Sequence, residues 1–167
     1  MKKIIVISFF LFAIYAFTED FFFGYGFGKI KNPKNYKFYT LMFDFSRPIR
    51  SSKNFFFQIE PFISYVESPS DNFEIGLSFF TLYKFSSGNI QPYIKVGTGI
   101  IYLSTDFVEQ STHFNFVSSA CFGIKFGLKR ISFYTEGRIR HVSNAGIKEP
   151  NEGINSKIFL IGLSYNF

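Results

Sequence analysis

Apolar and polar residues alternate one by one through long stretches of this chain, and clusters of turn-forming residues interrupt the alternation at regular intervals. Breaks at 31–35, 51–54, 68–72, 86–89, 104–113, 129–130 and 148–153 leave eight segments, roughly 21–30, 36–49, 55–67, 73–85, 90–103, 114–128, 131–146 and 154–167. A period of two belongs to a strand, whose successive side chains point to opposite faces. In the third segment Phe55, Phe57, Ile59, Pro61, Ile63 and Tyr65 share one face, and Gln58, Glu60 and Ser64 share the other. In the seventh, Ile131, Phe133, Ile139, His141 and Ser143 oppose Ser132, Tyr134, Glu136, Arg138 and Arg140. No segment has a helical period. The chain reads as all-β, an eight-stranded antiparallel barrel.

Alternation alone does not say which face points inward. A soluble, lipocalin-like barrel turns its apolar face to the lumen, and an outer-membrane barrel turns it to lipid. Composition bears on the choice: aromatics make up 22% of the chain, with 27 Phe, while charged residues make up only 18%. The less aromatic face is rich in glycine (Gly76, Gly97, Gly99, Gly123, Gly162) and carries charges of both signs. Asp44, Glu60, Glu74 and Glu136 stand against Lys84, Lys95, Lys125, Arg138 and Arg140. Such a face suits a narrow, plugged lumen with internal ion pairs. Lys95, Lys125 and Arg138 on the lipid side would each cost about 2–4 kcal/mol near the midplane. Together that rivals the roughly 5–15 kcal/mol stability of a whole domain. The phenylalanine face therefore meets lipid. The connections after segments 1, 3, 5 and 7 are expected to be generally the longer ones, which places both termini in the periplasm. The C-terminal segment ends on Phe167 with aromatics at alternate positions, like the assembly signal of such barrels.

The first residues fit that location. Met1-Lys2-Lys3 is a basic start, Ile4 to Tyr15 an apolar run, and Ala16 a small residue at which cleavage is expected. The run is too short for a spanning helix, which needs about 20 residues. Residues 1–16 thus read as an export signal and 17–167 as the barrel. The lone Cys121 excludes an intrachain disulfide and is expected to face the lumen. No cysteine–histidine cluster for zinc, acidic calcium loop or phosphate-cradling glycine loop is present, so no cofactor is expected. The net charge of +6 does not point to nucleic acid in an exported protein.

The seventh segment carries chemistry. His141 and Ser143 share its outward, apolar face, and their Cβ atoms are about 7 Å apart in an extended strand. Serine and histidine within reach of each other are the nucleophile and base that acyl transfer requires. By spacing alone the pair also fits two interfacial polar residues where a strand leaves the bilayer.

The longer string resolves more. His141-Val142-Ser143-Asn144-Ala145-Gly146-Ile147, followed by Pro150-Asn151-Glu152-Gly153-Ile154-Asn155, resembles the C-terminal signature of the PagL-type lipid A 3-O-deacylases. These are eight-stranded outer-membrane esterases. The resemblance implies hydrolysis of the ester-linked 3-O-acyl chain of lipid A, with Ser143 as nucleophile and His141 as general base. It implies an oxyanion site at Asn144 and the Gly146 N–H. Parity independently puts the pair on the lipid side, toward the outer leaflet where lipid A resides. One position departs from the family: the triad acid, a glutamate twelve residues after the serine, is here Asn155. Asn155 has outward parity and can hold the imidazole tautomer as in Cys-His-Asn sites, but it carries no charge. Glu149 and Glu152 are alternatives, also readable as solvated loop acids, and Glu136 is on the wrong face.

Lys29, Lys31, Lys34 and Lys37 surround the first outer loop and read either as contacts for lipid A phosphates or as solvated loop residues. The expected partners are lipopolysaccharide and outer-membrane lipids, with a homodimer left open. The competing reading is a non-catalytic structural or adhesion barrel.

Overall fold

The computed structural model of the protein describes residues 18–30, 35–49, 52–104, 111–128 and 131–165. The expected export signal, residues 1–16, lies outside the described residues. The described residues form eight strands: β1 Thr18–Ile30, β2 Asn35–Pro48, β3 Phe55–Ser68, β4 Asn72–Lys84, β5 Ile90–Leu103, β6 Phe114–Leu128, β7 Ile131–Ser143 and β8 Ile154–Tyr165. Each pairs antiparallel with its neighbour in sequence, and β1 also pairs with β8, closing the sheet into a barrel. Closure leaves no strand edge unpaired.

Residue exposure follows the alternation. Every second residue of β7 from Ser132 to Val142 is buried and every other one is exposed. The exposed set forms an outward apolar band that includes Phe43, Phe57, Val96, Phe122, Ile139 and Phe159. Among the strand residues whose side chains are described, the outward formal charges are Lys37, Arg47, Glu67 and Lys157, all toward one end of the barrel or the other. The band between them is uncharged.

The lumen is filled in layers. Midway, Lys95 lies between three carboxylates, 3.0 Å from Glu60, 3.1 Å from Glu136 and 3.3 Å from Asp44. Arg138 grips Glu60 with both terminal nitrogens at 2.6 and 2.7 Å and reaches Glu136 at 2.7 Å. Toward the end opposite the termini, Arg140 pairs with Glu74 at 2.9 and 3.1 Å, and Tyr36 donates to the same carboxylate. Around that pair the lumen is apolar, with Tyr36, Phe38, Val66, Leu103, Val117, Val142 and Ile154 in one cluster. Large rings inside the barrel are thus a departure from a lumen lined by glycine and small polar residues. The glycines make room for them. Phe62 lies over Gly76, Phe80 over Gly97 and Tyr93 over Gly123, each ring on the residue directly opposite it in the ladder. A Cβ on any of these three glycines would stand 2.3 to 2.5 Å from the ring. Cys121 is free and buried, as its parity requires.

Two sequence expectations change. The seventh strand stops at Ser143 rather than running to Gly146, because Ala145 (φ 55°) and Gly146 (φ 76°) turn through the left-handed region. The length asymmetry of the connections is carried by 104–113 and 144–153 alone. The connections 31–34 and 69–71 are no longer than those at the opposite end, 49–54 and 85–89.

Removing one member of a buried ion network strands its partners, at a cost of about 3–5 kcal/mol. Arg138→Met should therefore lower the unfolding midpoint of the detergent-folded barrel markedly. Equilibrium urea unfolding, followed by the electrophoretic shift between folded and unfolded forms, measures it. A surface change such as Thr81→Ser should leave the midpoint in place.

Candidate active site

The long connections 104–113 and 144–153 leave the same end of the barrel and meet: Ser111 N–H donates to the Pro150 carbonyl at 3.3 Å and Ser111 Oγ to the Lys148 carbonyl at 3.0 Å. Where β7 enters this end, its outward face carries His141 and then Ser143. His141 stands opposite Asn155 of β8 and Ser118 of β6 in the ladder, and Ser143 stands opposite Phe116.

His141 Nδ1 is 2.8 Å from Asn155 Oδ1. An amide oxygen accepts, so Nδ1 carries the proton and the lone pair of the neutral ring is on Nε2. The ring edge bearing Nε2 is turned toward Gly153. A Cβ on Gly153 would be 2.8 Å from Cε1 and 3.5 Å from Nε2. The ladder pairs Val142 with Ile154, so Gly153 falls on the rung of Ser143. Cε1 is thus the ring atom nearest Gly153, with Nε2 beside it. No hydrogen bond joins Ser143 to His141 in this state, and such bonds are often long until substrate arrives.

The turn after Ser143 is organised by Asn144, which is fully buried. Its N–H donates to Asn151 Oδ1 at 3.0 Å, its Nδ2 to the Lys148 carbonyl at 2.7 Å, and its Oδ1 accepts the Gly146 N–H at 2.9 Å. Both groups anticipated as oxyanion donors, the Asn144 amide and the Gly146 N–H, are therefore engaged within the turn. Glu149 accepts the Asn151 N–H at 3.1 Å and so serves the same loop. The imidazole partner is Asn155.

Below this group the outer surface has a groove walled by Phe122, Ile139, Lys157 and Phe159. Its floor is low because Ala120 and Gly137 stand there, and a Cβ on Gly137 would meet nothing within 4 Å. Of the four anticipated lysines, Lys31 and Lys34 lie outside the described residues. Lys29 is opposite Asn155 in the β1–β8 ladder, and Lys37 is exposed on the outward face of β2. Among the described residues no group of His, Cys, Asp and Glu is arranged to hold a metal ion. Sequence reasoning missed Gly153 and the groove. The glycine was visible only within a string, and the groove is assembled across three strands.

A closed antiparallel barrel with an apolar outer band and a polar serine–histidine group on that band is an outer-membrane type of fold. Residues 35–164 match the model of the lipid A 3-O-deacylase (PagL) family, and the chain belongs to that family. Its barrel is similar to the crystal structure of the outer membrane enzyme PagL, with TM-score 0.64 and 21% identity over 84% of this chain and 97% of that one. It is also similar to Neisserial surface protein A (TM-score 0.71, 12% identity, 90% and 97% covered). The outer membrane protein OprG from Pseudomonas aeruginosa is a further neighbour (TM-score 0.52, 11% identity, 90% and 96% covered). At these identities the likeness is one of fold. No curated protein matches the chain.

Gly153 holds a left-handed φ of 71° against the imidazole. That conformation costs a residue with a Cβ about 1–2 kcal/mol. Gly153→Ala should lower the urea midpoint and shift the His141 imidazole resonances in a nuclear magnetic resonance spectrum. Gly137→Ala, whose Cβ enters open space, should do neither.

Proposed function

We propose that the protein is a lipid A 3-O-deacylase, a serine esterase that hydrolyses the 3-O-acyl ester of lipid A from the outer leaflet. The observation that carries this reading is the outward-facing His141, bonded through Nδ1 to Asn155 and two positions from Ser143 along β7. Family membership supplies the substrate class.

In this mechanism Ser143 Oγ attacks the ester carbonyl while His141 Nε2 takes its proton. The tetrahedral intermediate collapses, His141 returns the proton to the sugar oxygen, and the sugar leaves with its 3-hydroxyl restored. Water, deprotonated by the same imidazole, then cleaves the acyl-serine and releases the fatty acid. Asn155 holds the tautomer but does not offset the imidazolium charge, so the rate should fall below that of a glutamate-containing site. Asn144 and Gly146 are proposed at the oxyanion site. To donate there they must share or release the hydrogen bonds they make within the turn. The outgoing acyl chain lies in the groove over Ala120 and Gly137, which already faces lipid. Export through residues 1–16 and a periplasmic position for the termini complete the placement, with the 144–153 loop at the cell exterior. Lys29, Lys31, Lys34 and Lys37 are proposed to face the headgroup region there.

Expression in a Gram-negative outer membrane, followed by mass spectrometry of lipid A, tests the reading. The parent protein should remove one acyl chain, and folded Ser143→Ala should remove none. Lipid A that keeps its full acyl count with the folded parent would falsify the esterase reading in favour of a non-catalytic barrel. Asn155→Glu should raise kcat several-fold with little change in KM. A decrease would place Asn155 outside the imidazole's reach during turnover. Gly137→Leu should slow the release of long acyl chains more than short ones, as measured by competition between substrates.

A further inference from the structure

One outward charge, at the loop-end edge of the apolar band, takes no part in the proton transfers of deacylation. Lys157 of β8 is exposed on the lipid-facing side and lines the groove beside Ile139 and Phe159. It stands one outward position beyond Asn155 along β8, about 7 Å farther from the loop end. No carboxylate pairs with it among the described residues. A lysine on the lipid face of a barrel is unfavourable unless its ammonium reaches the interface or meets an anion.

The ladder supplies a second cation at the same level. Lys157 pairs with Phe27 of β1, and Phe27 pairs with Lys37 of β2, so the two lysines share a rung across one intervening strand. Two strand spacings separate them by about 10 Å. Both are exposed, and both lie on the side of the barrel next to Asn155. Glu67, the outward carboxylate of this region, neighbours Ser68 on the far side of Lys37.

We propose that Lys157 and Lys37 form a phosphate-binding pair that anchors the headgroup of a phosphorylated glycolipid beside His141 and Asn155. The pair sets how deep the sugar rides in the interface, and so which ester stands over Ser143. This rests on the esterase reading for the identity of the lipid. The cationic pair itself rests on the ladder alone.

Binding separates the two. The full-length protein carrying Ser143→Ala, which leaves lipid A intact, is titrated in detergent with lipid A, with lipid A stripped of its phosphates, and with phosphatidylglycerol. Lipid A should bind more tightly than the stripped lipid. Lys157→Gln should weaken lipid A binding about fivefold, the expected effect of one interfacial lysine. It should weaken binding of the stripped lipid less than that of lipid A, and Lys157→Arg should restore the lost affinity. Equal affinity for lipid A with and without phosphate overturns the proposal. So does an equal loss for phosphatidylglycerol, which would mark a general anionic-surface contact. Failure of the esterase reading appears instead as an unchanged acyl count with the active parent, independently of these affinities.

Discussion

Closure of the sheet between β1 and β8 is the constraint on which everything else in this protein depends. Once the ladder is closed, each residue of a strand is committed to a narrow inside or to an outside that meets solvent or lipid. An eight-stranded barrel leaves room inside for side chains and little more. The charges assigned to that space have to neutralise one another there. Lys95 and Arg138 accordingly share Glu60 and Glu136, and Arg140 takes Glu74. A filled interior also has no room for a bulky lipid. Any chemistry on such a substrate must sit on the outer wall.

The outer wall is a difficult place for polar side chains, and the local structure shows how they are accommodated. His141 is not left alone in the apolar band; Asn155 satisfies one ring nitrogen and Gly153 makes room for the other edge. Both groups enter at the end where the β7–β8 connection folds over Asn144 and leans on Ser111. Within the loop, side-chain oxygens of Asn144, Asn151 and Glu149 accept the backbone N–H groups of Gly146, Asn144 and Asn151. The serine, the histidine and their amide partner are thus held by two ladder rungs and one buried asparagine.

Much of this was legible from parity. A strand's period of two carries inside-versus-outside directly, so Glu136, Arg138 and Arg140 could be assigned to the lumen and His141 and Asn155 to the outer face. The structure buries the first three and exposes the other two. Parity is silent about register, however. Which residue of β8 faces His141 depends on the ladder alignment, and the groove depends on three strands meeting at Ala120, Gly137 and Phe159. The rings Phe62, Phe80 and Tyr93 were also hidden, because the inner face was judged by its polar members. The end of β7 was set too late, since Ala145 carries no signal for a left-handed turn. The donors of Asn144 were read from a motif, and a motif does not show what those donors are already bonded to.

The rings laid over glycines bear on how this barrel is put together. Phe62 of β3 needs Gly76 of β4, Phe80 of β4 needs Gly97 of β5, and Tyr93 of β5 needs Gly123 of β6. Each strand thus presents an aromatic key to a notch in the strand that follows it in the chain. A slip of two residues keeps the correct face inward yet sets Phe62 against Glu74 or Ser78 and Tyr93 against Cys121 or Lys125; Phe80 would meet Lys95 in one direction and the bare Gly99 in the other. Hydrophobic patterning alone would tolerate that error. The β3–β4 and β5–β6 hairpins thus each reject a two-residue slip in either direction, and the β4–β5 hairpin rejects it in one, so the alignment of the wall that leads to β7 and β8 is set by ring against glycine as well as by parity.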